Sequence, residues 1–250
     1  MSNTVAIDCF PSGVKRYSAD HVIVAIDVIR ATTLAVTAAD SGRRCFVARD
    51  TKHAFELRKQ LGEALLAGEL AGDMPDGFNM NNSPADLVLR TDIYLPLVML
   101  SSSGTELMLE AAKSRHGAYV ACFRNYDAVA QHVARLGKDV AVIGAGSRNQ
   151  FREEDQICCA WVAGALVRNG FDVENSATAE VIRRWAGAPA MACAVSKSVS
   201  YLRTSGQVRD LDFIMSHVNE ISTVVQIVGH EVMDWKRSSH SDQYCAAEAA

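Results

Sequence analysis

Short apolar runs alternate along the chain with longer segments in which apolar positions recur at helical spacing. The runs are rich in Val, Ile and Leu, which is typical of strands buried on both faces of a parallel sheet. They predict strands at 5–10, 22–26, 44–48, 64–67, 95–100, 118–123, 139–143 and 224–228. The helical spacing predicts helices at 34–39, 52–61, 84–90, 106–114, 127–136, 153–169, 177–185, 188–202 and 208–217, with Thr51 and Ser83 as caps of the second and third. This order predicts a three-layer α/β/α arrangement around a mainly parallel, or mixed, sheet.

No internal repeat and no linker divides this pattern. Residues 1–237 are therefore expected to form a single α/β domain, whereas 238–250 lack a core pattern and are expected to form a mobile tail. The segment 68–83 is dominated by Gly, Asp, Asn and Pro, which predicts a loop. Loops of this length inside compact domains are usually functional or disordered.

Composition excludes several classes of protein. The chain has 250 residues, of which 49% are hydrophobic and 22% charged, and a net charge of −4, so no nucleic-acid partner is expected. No apolar run reaches the roughly 18 residues of a membrane span, and no signal-peptide pattern is present. The seven cysteines contain no C-x-x-C, so we expect reduced cysteines in a cytoplasmic protein. A homodimer is a general expectation for parallel-sheet enzymes of this size.

Polar residues follow the predicted strands at several points. The first such group is Asp27, Arg30, Thr32 and Thr33, at the end of the apolar run 22–26. The other groups are Gly68-Glu69, Ser101 to Thr105, Arg124-Asn125 and Gly144 to Gly146. If the strands are parallel, these groups lie along one edge of the sheet, where α/β proteins bind their ligands.

The residue types in these groups suit a phosphate ester. Ser101 to Thr105 places hydroxyls and a glycine at a helix N-terminus, which is a favourable site for an anion. Arg30 can add a bidentate contact to phosphate or carboxylate. Oxygen donors suited to Mg²⁺ are Asp27, Glu69, Glu154 and Asp155. Each group also has a local explanation, because hydroxyls and Asp27 can cap helices and acids favour a first helical turn.

The common phosphate-binding motifs are absent. The chain has no G-x-x-x-x-G-K-[ST], no second aspartate after Asp27 as in haloacid-dehalogenase-type phosphatases, and no cysteine followed six residues later by arginine. Arg115-His116-Gly117 is followed by Tyr119 where a histidine phosphatase has its second arginine. Gly144-Ala145-Gly146 is a weak dinucleotide signal, because Asn149 stands in place of the third glycine.

Several motifs, in order, resemble those of the 2-phosphosulfolactate phosphatase family. Asp27 to Thr33 (DVIRATT) is similar to the family's D-V-L-R-A-T-T, and Gly68-Glu69 to its G-E pair. Residues 77–84 (GFNMNNSP) resemble G-F-D-L-G-N-S-P, and Ser101 to Thr105 resemble T-T-N-G-T. Later matches are Asn125, Gly146, Glu154-Asp155, Leu202, Gly206 and Asp210. The matches extend over nearly the whole chain, from about residue 5 to about residue 228.

The resemblance implies a Mg²⁺-dependent acid phosphatase acting on small phosphate esters of 2-hydroxy acids. The typical substrate, 2-phosphosulfolactate, gives 3-sulfolactate and phosphate on the route to coenzyme M. The resemblance implies catalytic roles for Asp27, Glu69 and Arg30. It implies a metal site made of Asp27, Glu69, Glu154 and Asp155. The residues implied to bind phosphate or complete the pocket are Thr32, Thr33, Asn82, Ser83, Ser101, Ser102, Ser103, Gly104, Thr105 and Asn125.

The chain also departs from the family pattern. Ser103 replaces an asparagine, Asn79 an aspartate and Asn81 a glycine. Two alternatives therefore stand beside a 2-phosphosulfolactate phosphatase. One is a phosphatase of the same fold for another phosphorylated hydroxy acid, and the other is a non-catalytic anion-binding protein. A nucleotide-binding or methyl-donor-binding protein built on Gly144 to Gly146 is a weaker alternative.

Overall fold

The computed structural model describes residues 2–147 and 150–237. Its strands are β1 (Thr4–Asp8), β2 (His21–Ile26), β3 (Cys45–Val47), β4 (Leu65–Gly68), β5 (Leu97–Leu100), β6 (Ala118–Ala121), β7 (Asp139–Gly144), β8 (Asp172–Val173), β9 (Val225–Val228) and β10 (Glu231–Asp234). Its α-helices are α1 (Gly13–Tyr17), α2 (Ala31–Asp40), α3 (Thr51–Gln60), α4 (Pro84–Leu87), α5 (Gly104–Ala111), α6 (Tyr126–Ala134), α7 (Glu153–Arg168), α8 (Ser176–Trp185), α9 (Lys197–Thr204) and α10 (Val208–Ser216). A short 3-10 helix spans Ala190–Cys193.

The described strands form one ten-stranded sheet in the order β4-β5-β3-β10-β9-β6-β2-β7-β1-β8. The strands β4, β5 and β3 form one parallel group, and β6, β2, β7, β1 and β8 form another. The hairpin β9–β10 lies between the groups, and its three pairings are antiparallel. The prediction of a mainly parallel, mixed sheet is thus confirmed. Because the number of antiparallel pairings is odd, the two parallel groups run in opposite directions along the sheet.

Sheet twist explains how the ends of opposed strands still meet. Neighbouring strands rotate by about 20–25°, so the five pairings from β2 to β5 accumulate roughly 100–125°. The rotation turns β5 back toward the direction of β2. Helix α2 packs against β3, β5, β6 and β10, and α5 packs against β2, β3 and β6. Both helices therefore contact strands of both groups, and their N-terminal ends lie next to each other.

Alternate residues of β2 show the layers on either side of the sheet. Val22, Val24 and Ile26 belong to one apolar core, which includes residues of α6 and α7. Ile23 and Ala25 belong to a second core, which includes residues of α2 and α5. Every residue of α2 before Asp40 is buried, as expected of a helix that is apolar on all sides. Helices on both faces confirm the three-layer arrangement.

Several predicted bounds need correction. The helix predicted at 188–202 is interrupted, because Ser196 caps a new helix, α9, by accepting a hydrogen bond from the amide of Val199. The cap of α3 is Asp50, which accepts from the amide of His53, and Thr51 is already helical. Ser83 caps α4 as predicted. Helix α1 and strands β8 and β10 were not predicted, and the predicted tail at 238–250 lies outside the described residues. No described helix has the length and apolar character needed to cross a bilayer.

Candidate active site

A polar cleft of about 470 Å³ opens where strands β2, β4, β5 and β7 end. The N-terminal ends of α2, α5, α7 and α9 border it, so the partial positive charges of four helices point toward one space. Its polar lining residues are Asp27, Arg30, Glu69, Asn82, Ser101, Ser102, Ser103, Ser147, Arg152, Asp155, Lys197, Ser198 and Tyr201. The cleft thus combines acidic, basic and hydroxyl side chains. Such a set suits an anionic substrate that binds together with a metal cation.

Asp27 lies at the end of β2 and is 8% exposed. Its Oδ1 accepts a 3.3 Å hydrogen bond from the amide of Ala31, at the start of α2. Burial, together with the negative charges of Glu69 and Glu154, raises the pKa of Asp27 to about 7 against the opposing effect of this bond. Arg152 acts in the opposite direction. A cation that enters the cleft would therefore stabilise the charged form of Asp27.

Gly104 allows α5 to approach Asp27 closely. A Cβ atom built on Gly104 would lie 2.4 Å from Oδ2 of Asp27 and 2.4 Å from Cβ of Ala31. Both distances are far below any van der Waals separation. The glycine is therefore required if the starts of α2 and α5 are to meet, and it brings the Ser101 to Thr105 segment beside Asp27.

Glu69 fixes the loop that follows β4. Its Oε1 accepts from the amide of Ser102 at 2.8 Å, and its Oε2 accepts from the hydroxyl of Ser102 at 3.0 Å and the amide of Gly72 at 2.7 Å. The half-buried carboxylate is thus held by both sides of the cleft mouth. It ties the 68–83 loop to the start of α5 while it still lines the cleft.

The start of α7, which carries Glu154 and Asp155, lies at the same cleft. Asp155 accepts from the amides of Val28 at 2.8 Å and Gly146 at 3.3 Å. Burial, and then the charges of Asp27 and Glu154, raises the pKa of Asp155 well above its ordinary value. Glu154 lies behind Asp155 at 1% exposure, outside the cleft lining.

Glu154 is buried without a matched partner. Neither of its oxygens meets the geometry of a hydrogen bond with any described residue. The nearby hydroxyls of Ser198 and Ser196 lower its pKa only partly, so burial leaves the pKa of Glu154 raised. A buried carboxyl in this state favours a neighbouring cation or a bound proton.

Arg30 lines the cleft with its charge already paired. Its Nη1 forms a buried ion pair with Asp210 of α10, and its Nη2 donates to Oδ1 of Asn81 at 3.0 Å. Asp210 also accepts from the hydroxyl of Ser83. This network fixes the guanidinium, and it leaves less of its charge for a phosphate than the sequence suggested.

Three of the predicted threonines bond to the backbone instead of facing the cleft. The hydroxyl of Thr32 donates to the carbonyl of Asp27 at 2.8 Å, and that of Thr33 donates to another carbonyl of the same turn at 2.7 Å. The hydroxyl of Thr105 donates to the carbonyl of Ser101 at 2.7 Å. All three are buried and lie outside the cleft lining. They stabilise the two strand-to-helix turns that carry the lining residues.

The two predicted asparagines differ in position. Asn82 lines the cleft, and its buried Oδ1 has no hydrogen-bond partner among the described residues. Asn125 is fully buried at the end of β6 and bonds main-chain groups there. Ser83 lies behind the cleft, where it bonds Asp210 and caps α4.

The sequence analysis missed two cations and a tyrosine of the cleft lining. Arg152 directly precedes the acids at the start of α7, and Lys197 and Tyr201 belong to α9. The hydroxyl of Tyr201 donates to the carbonyl of Gly72 at 2.7 Å, so α9 touches the loop that Glu69 holds. A polar lysine and tyrosine four residues apart share one helix face, but that face cannot be oriented toward a cleft without the fold.

The donor set suits Mg²⁺ without forming a finished metal site. Within residues 2–147 and 150–237, no three His, Cys, Asp or Glu side chains are already clustered as metal ligands. Mg²⁺ typically takes only one or two carboxylates, with water and phosphate oxygens completing its shell. Asp27 and Asp155 supply two carboxylates whose charged forms burial disfavours, and Glu154 adds a third negative charge behind them.

The fold and the cleft define an α/β protein in which carboxylates, cations and helix N-termini surround one polar cleft. The sequence profile described as 2-phosphosulpholactate phosphatase matches residues 9–230. The chain therefore belongs to the 2-phosphosulpholactate phosphatase family, a family of phosphoric monoester hydrolases.

Individual relatives agree with this family. A protein of Deinococcus radiodurans named probable 2-phosphosulfolactate phosphatase is 31% identical over 196 residues, which is 77% of this chain and 82% of the relative. Relatives of the same name from Pseudothermotoga lettingae and Symbiobacterium thermophilum are 33% and 34% identical. Those two alignments span 60% of this chain and 62% and 63% of the relatives, just under two thirds of their length.

Proposed function

We propose that this protein is a Mg²⁺-dependent phosphatase that hydrolyses the phosphate ester of a 2-hydroxy acid, with 2-phosphosulfolactate as its substrate. The products would be 3-sulfolactate and phosphate, as on the route to coenzyme M. The observation that carries the proposal is the meeting of Asp27, Glu69 and Asp155 with several helix N-termini around one cleft. The names of the relatives support the choice of substrate.

Each part of the cleft has a task in this reaction. Asp27 and Asp155 would hold Mg²⁺, with Glu69 facing them, and the ion would neutralise charge on the ester phosphate. The start of α5, with the hydroxyls of Ser102 and Ser103, would bind the phosphate oxygens. Arg30, held by Asp210, would orient the substrate from the base of the cleft. Helix α9 would contribute Lys197, Ser198 and Tyr201 to the wall of the cleft.

The first experiment measures phosphate release from 2-phosphosulfolactate with Mg²⁺. We expect activity that EDTA removes and that Asp27→Asn abolishes. Thr91→Val, an exposed change outside the cleft, should leave it intact. Absence of release from 2-phosphosulfolactate, phospholactate and phosphoglycolate alike would favour a non-catalytic anion-binding protein instead.

The role of Asp27 needs a separate measurement. Acid quenching during turnover, followed by borohydride reduction, digestion and mass spectrometry, converts an aspartyl phosphate at position 27 to homoserine. We expect no conversion, because Asp27 would serve as a metal ligand while water attacks the phosphorus directly. Homoserine at position 27 would assign Asp27 as the nucleophile.

A further inference from the structure

Two cations of the cleft, Arg152 and Lys197, have no carboxylate partner in the part of the chain that the structure describes. Arg30 is paired with Asp210, and the buried Arg124 is paired with Asp40 and Glu220. By contrast, neither Arg152 nor Lys197 forms an ion pair with residues 2–147 or 150–237. The exposed Lys197 donates from Nζ to the neutral amide oxygen of Gln150, at 2.5 Å. Its charge is therefore available to a ligand.

The two cations belong to different elements of the cleft lining, the start of α7 and the start of α9. Arg152 is near enough to Asp27 and Glu154 to lower the pKa of both. Lys197 lies in the cleft lining at the start of α9, with Ser198 beside it and Tyr201 one turn later. Its bond to Gln150 brings it toward the segment that carries Arg152. The bond from Tyr201 to Gly72 fixes α9 against the loop that carries Glu69. Lys197 is thus held at a defined place in the cleft, beside the segment that carries Arg152.

The chemistry of the proposed substrate fits two separate cations in the cleft. In a 2-phospho-hydroxy acid the carboxylate is attached to the carbon that carries the ester oxygen, so it must lie close to the phosphate. A second acidic group on the next carbon lies further away. An ester with phosphate, carboxylate and a further acid would place one anion near Asp27, one near Arg152 and one near Lys197.

We propose that Lys197 and Arg152 form a second anion subsite, in which Lys197 binds an acidic group on carbon 3 of the substrate and Arg152 binds its carboxylate. This inference rests on the proposed function, and it makes Lys197 a specificity-determining residue. The group on carbon 3 can be a sulfonate or a carboxylate, because a lysine ammonium recognises either as a point charge. Esters without a third anion leave Lys197 unused.

The test compares three esters in the wild type and in Lys197→Gln. A charge-assisted hydrogen bond contributes enough for Lys197→Gln to raise KM for 2-phosphosulfolactate about tenfold or more. The KM for phospholactate should change less than about twofold, and kcat should change little for either ester. Phosphomalate, with a carboxylate on carbon 3, separates a general acid site from a sulfonate-specific one. Lys197→Arg should restore most of the lost affinity.

The matched control is Lys138→Gln. Lys138 is also exposed, but it precedes β7 at the end of that strand opposite to the cleft. It should change neither KM. Equal losses for phospholactate and 2-phosphosulfolactate in Lys197→Gln would overturn the subsite, even though the phosphatase function would stand.

If no ester is hydrolysed, binding of the products still tests the anion subsite separately from the proposed phosphatase function. Calorimetry should show sulfolactate binding more tightly than lactate, by a factor that Lys197→Gln removes. If no ester is hydrolysed but this pattern remains, the proposed function falls and the subsite stands. If sulfolactate does not bind, or binds equally well to the wild type and Lys197→Gln, the subsite is overturned.

Discussion

The guanidinium of Arg30 and the carboxylate of Asp210 form a buried ion pair between residues that lie 180 positions apart in the chain. The two side chains are 3% and 4% exposed. A charge at this depth is tolerated only with a partner. The pair therefore joins the turn after β2 to α10 and holds Arg30 at the base of the cleft.

Asp210→Asn should be strongly destabilising. Removing one partner of a buried pair leaves an uncompensated charge, which costs about 3–5 kcal/mol. Urea unfolding should show this loss, together with reduced activity because Arg30 is released. Arg209→Gln is the control, since its exposed pair with Asp86 should contribute less than about 1 kcal/mol. Similar losses in the two variants would contradict a structural role for the buried pair.

Gly104→Ala should separate the two helix starts. The added methyl group would clash with Asp27 and Ala31, so we expect roughly 100-fold lower activity and a loss of about 1–3 kcal/mol in stability. Gly164→Ala is the control in α7, where an added Cβ meets only the end of Arg168, at 3.7 Å. That change should be neutral or stabilise by up to about 1 kcal/mol. Full activity of Gly104→Ala would show that the close approach is unnecessary.

The stability of the metal-free protein should fall as the pH rises. The pKa of Asp27 is raised from 3.8 to about 7, so the folded state retains a proton that the unfolded state has lost between these values. Stability contributed by protonated Asp27 is therefore lost as the pH rises from about 4 to 7, with a limiting slope near 1.4 kcal/mol per pH unit.

Urea unfolding in EDTA from pH 4.5 to 7.5 measures this dependence. Asp27→Asn should make it shallower, because the amide does not titrate, whereas Asp155 and Glu154 still contribute through their raised pKa values. Mg²⁺ should stabilise the wild type most at high pH, since the ligands must be deprotonated. If EDTA-treated Asp27→Asn shows the same dependence on pH between 5 and 7 as the wild type, the assignment of the buried proton to Asp27 is wrong.

Glu69→Gln and Ser102→Ala should differ sharply. Ser102→Ala removes one hydroxyl bond to Glu69 and should raise KM about two- to tenfold. Glu69→Gln removes the charge and places a side-chain NH₂ group against groups that are themselves hydrogen-bond donors. The 68–83 loop should therefore loosen, and kcat should fall much more than in Ser102→Ala. Steady-state kinetics and hydrogen exchange at Gly72 test both effects. Equal behaviour of the two variants would show that the charge of Glu69 has no separate role.

The local sequence pattern was sufficient to predict most of the strands and helices in the three layers. Strand β2 was predictable because Val22 to Ile26 is apolar throughout, and Ser83 was predictable as a cap because Pro84 follows it. Strand β10 was not, since Glu231 and Asp234 give it polar ends and it pairs with β9 and β3 in the middle of the sheet. The reversed direction of the two parallel groups depends on that hairpin, so it could not be foreseen either.

The acids of the site were easier to predict than the hydroxyls. Asp27, Glu69 and Asp155 stand out because each follows or precedes an apolar element, and the structure places all three in the cleft lining. A threonine after a strand can bond a ligand or its own backbone, and only the final turn geometry decides. Thr32 bonds the backbone. Lys197 was missed because nothing local indicates which way its helix faces.

The position of β9 and β10 has a consequence for synthesis on the ribosome. The last two described strands lie between the two parallel groups, so the groups have no shared edge until they arrive. A nascent chain can pair β2 with β6 and β5 with β3 early, but the sheet that carries both groups is continuous only once residues 225–234 have joined it. The candidate cleft is therefore completed only after these residues are synthesised, and a chain that stops before them carries the acids without the enclosure that raises their pKa values.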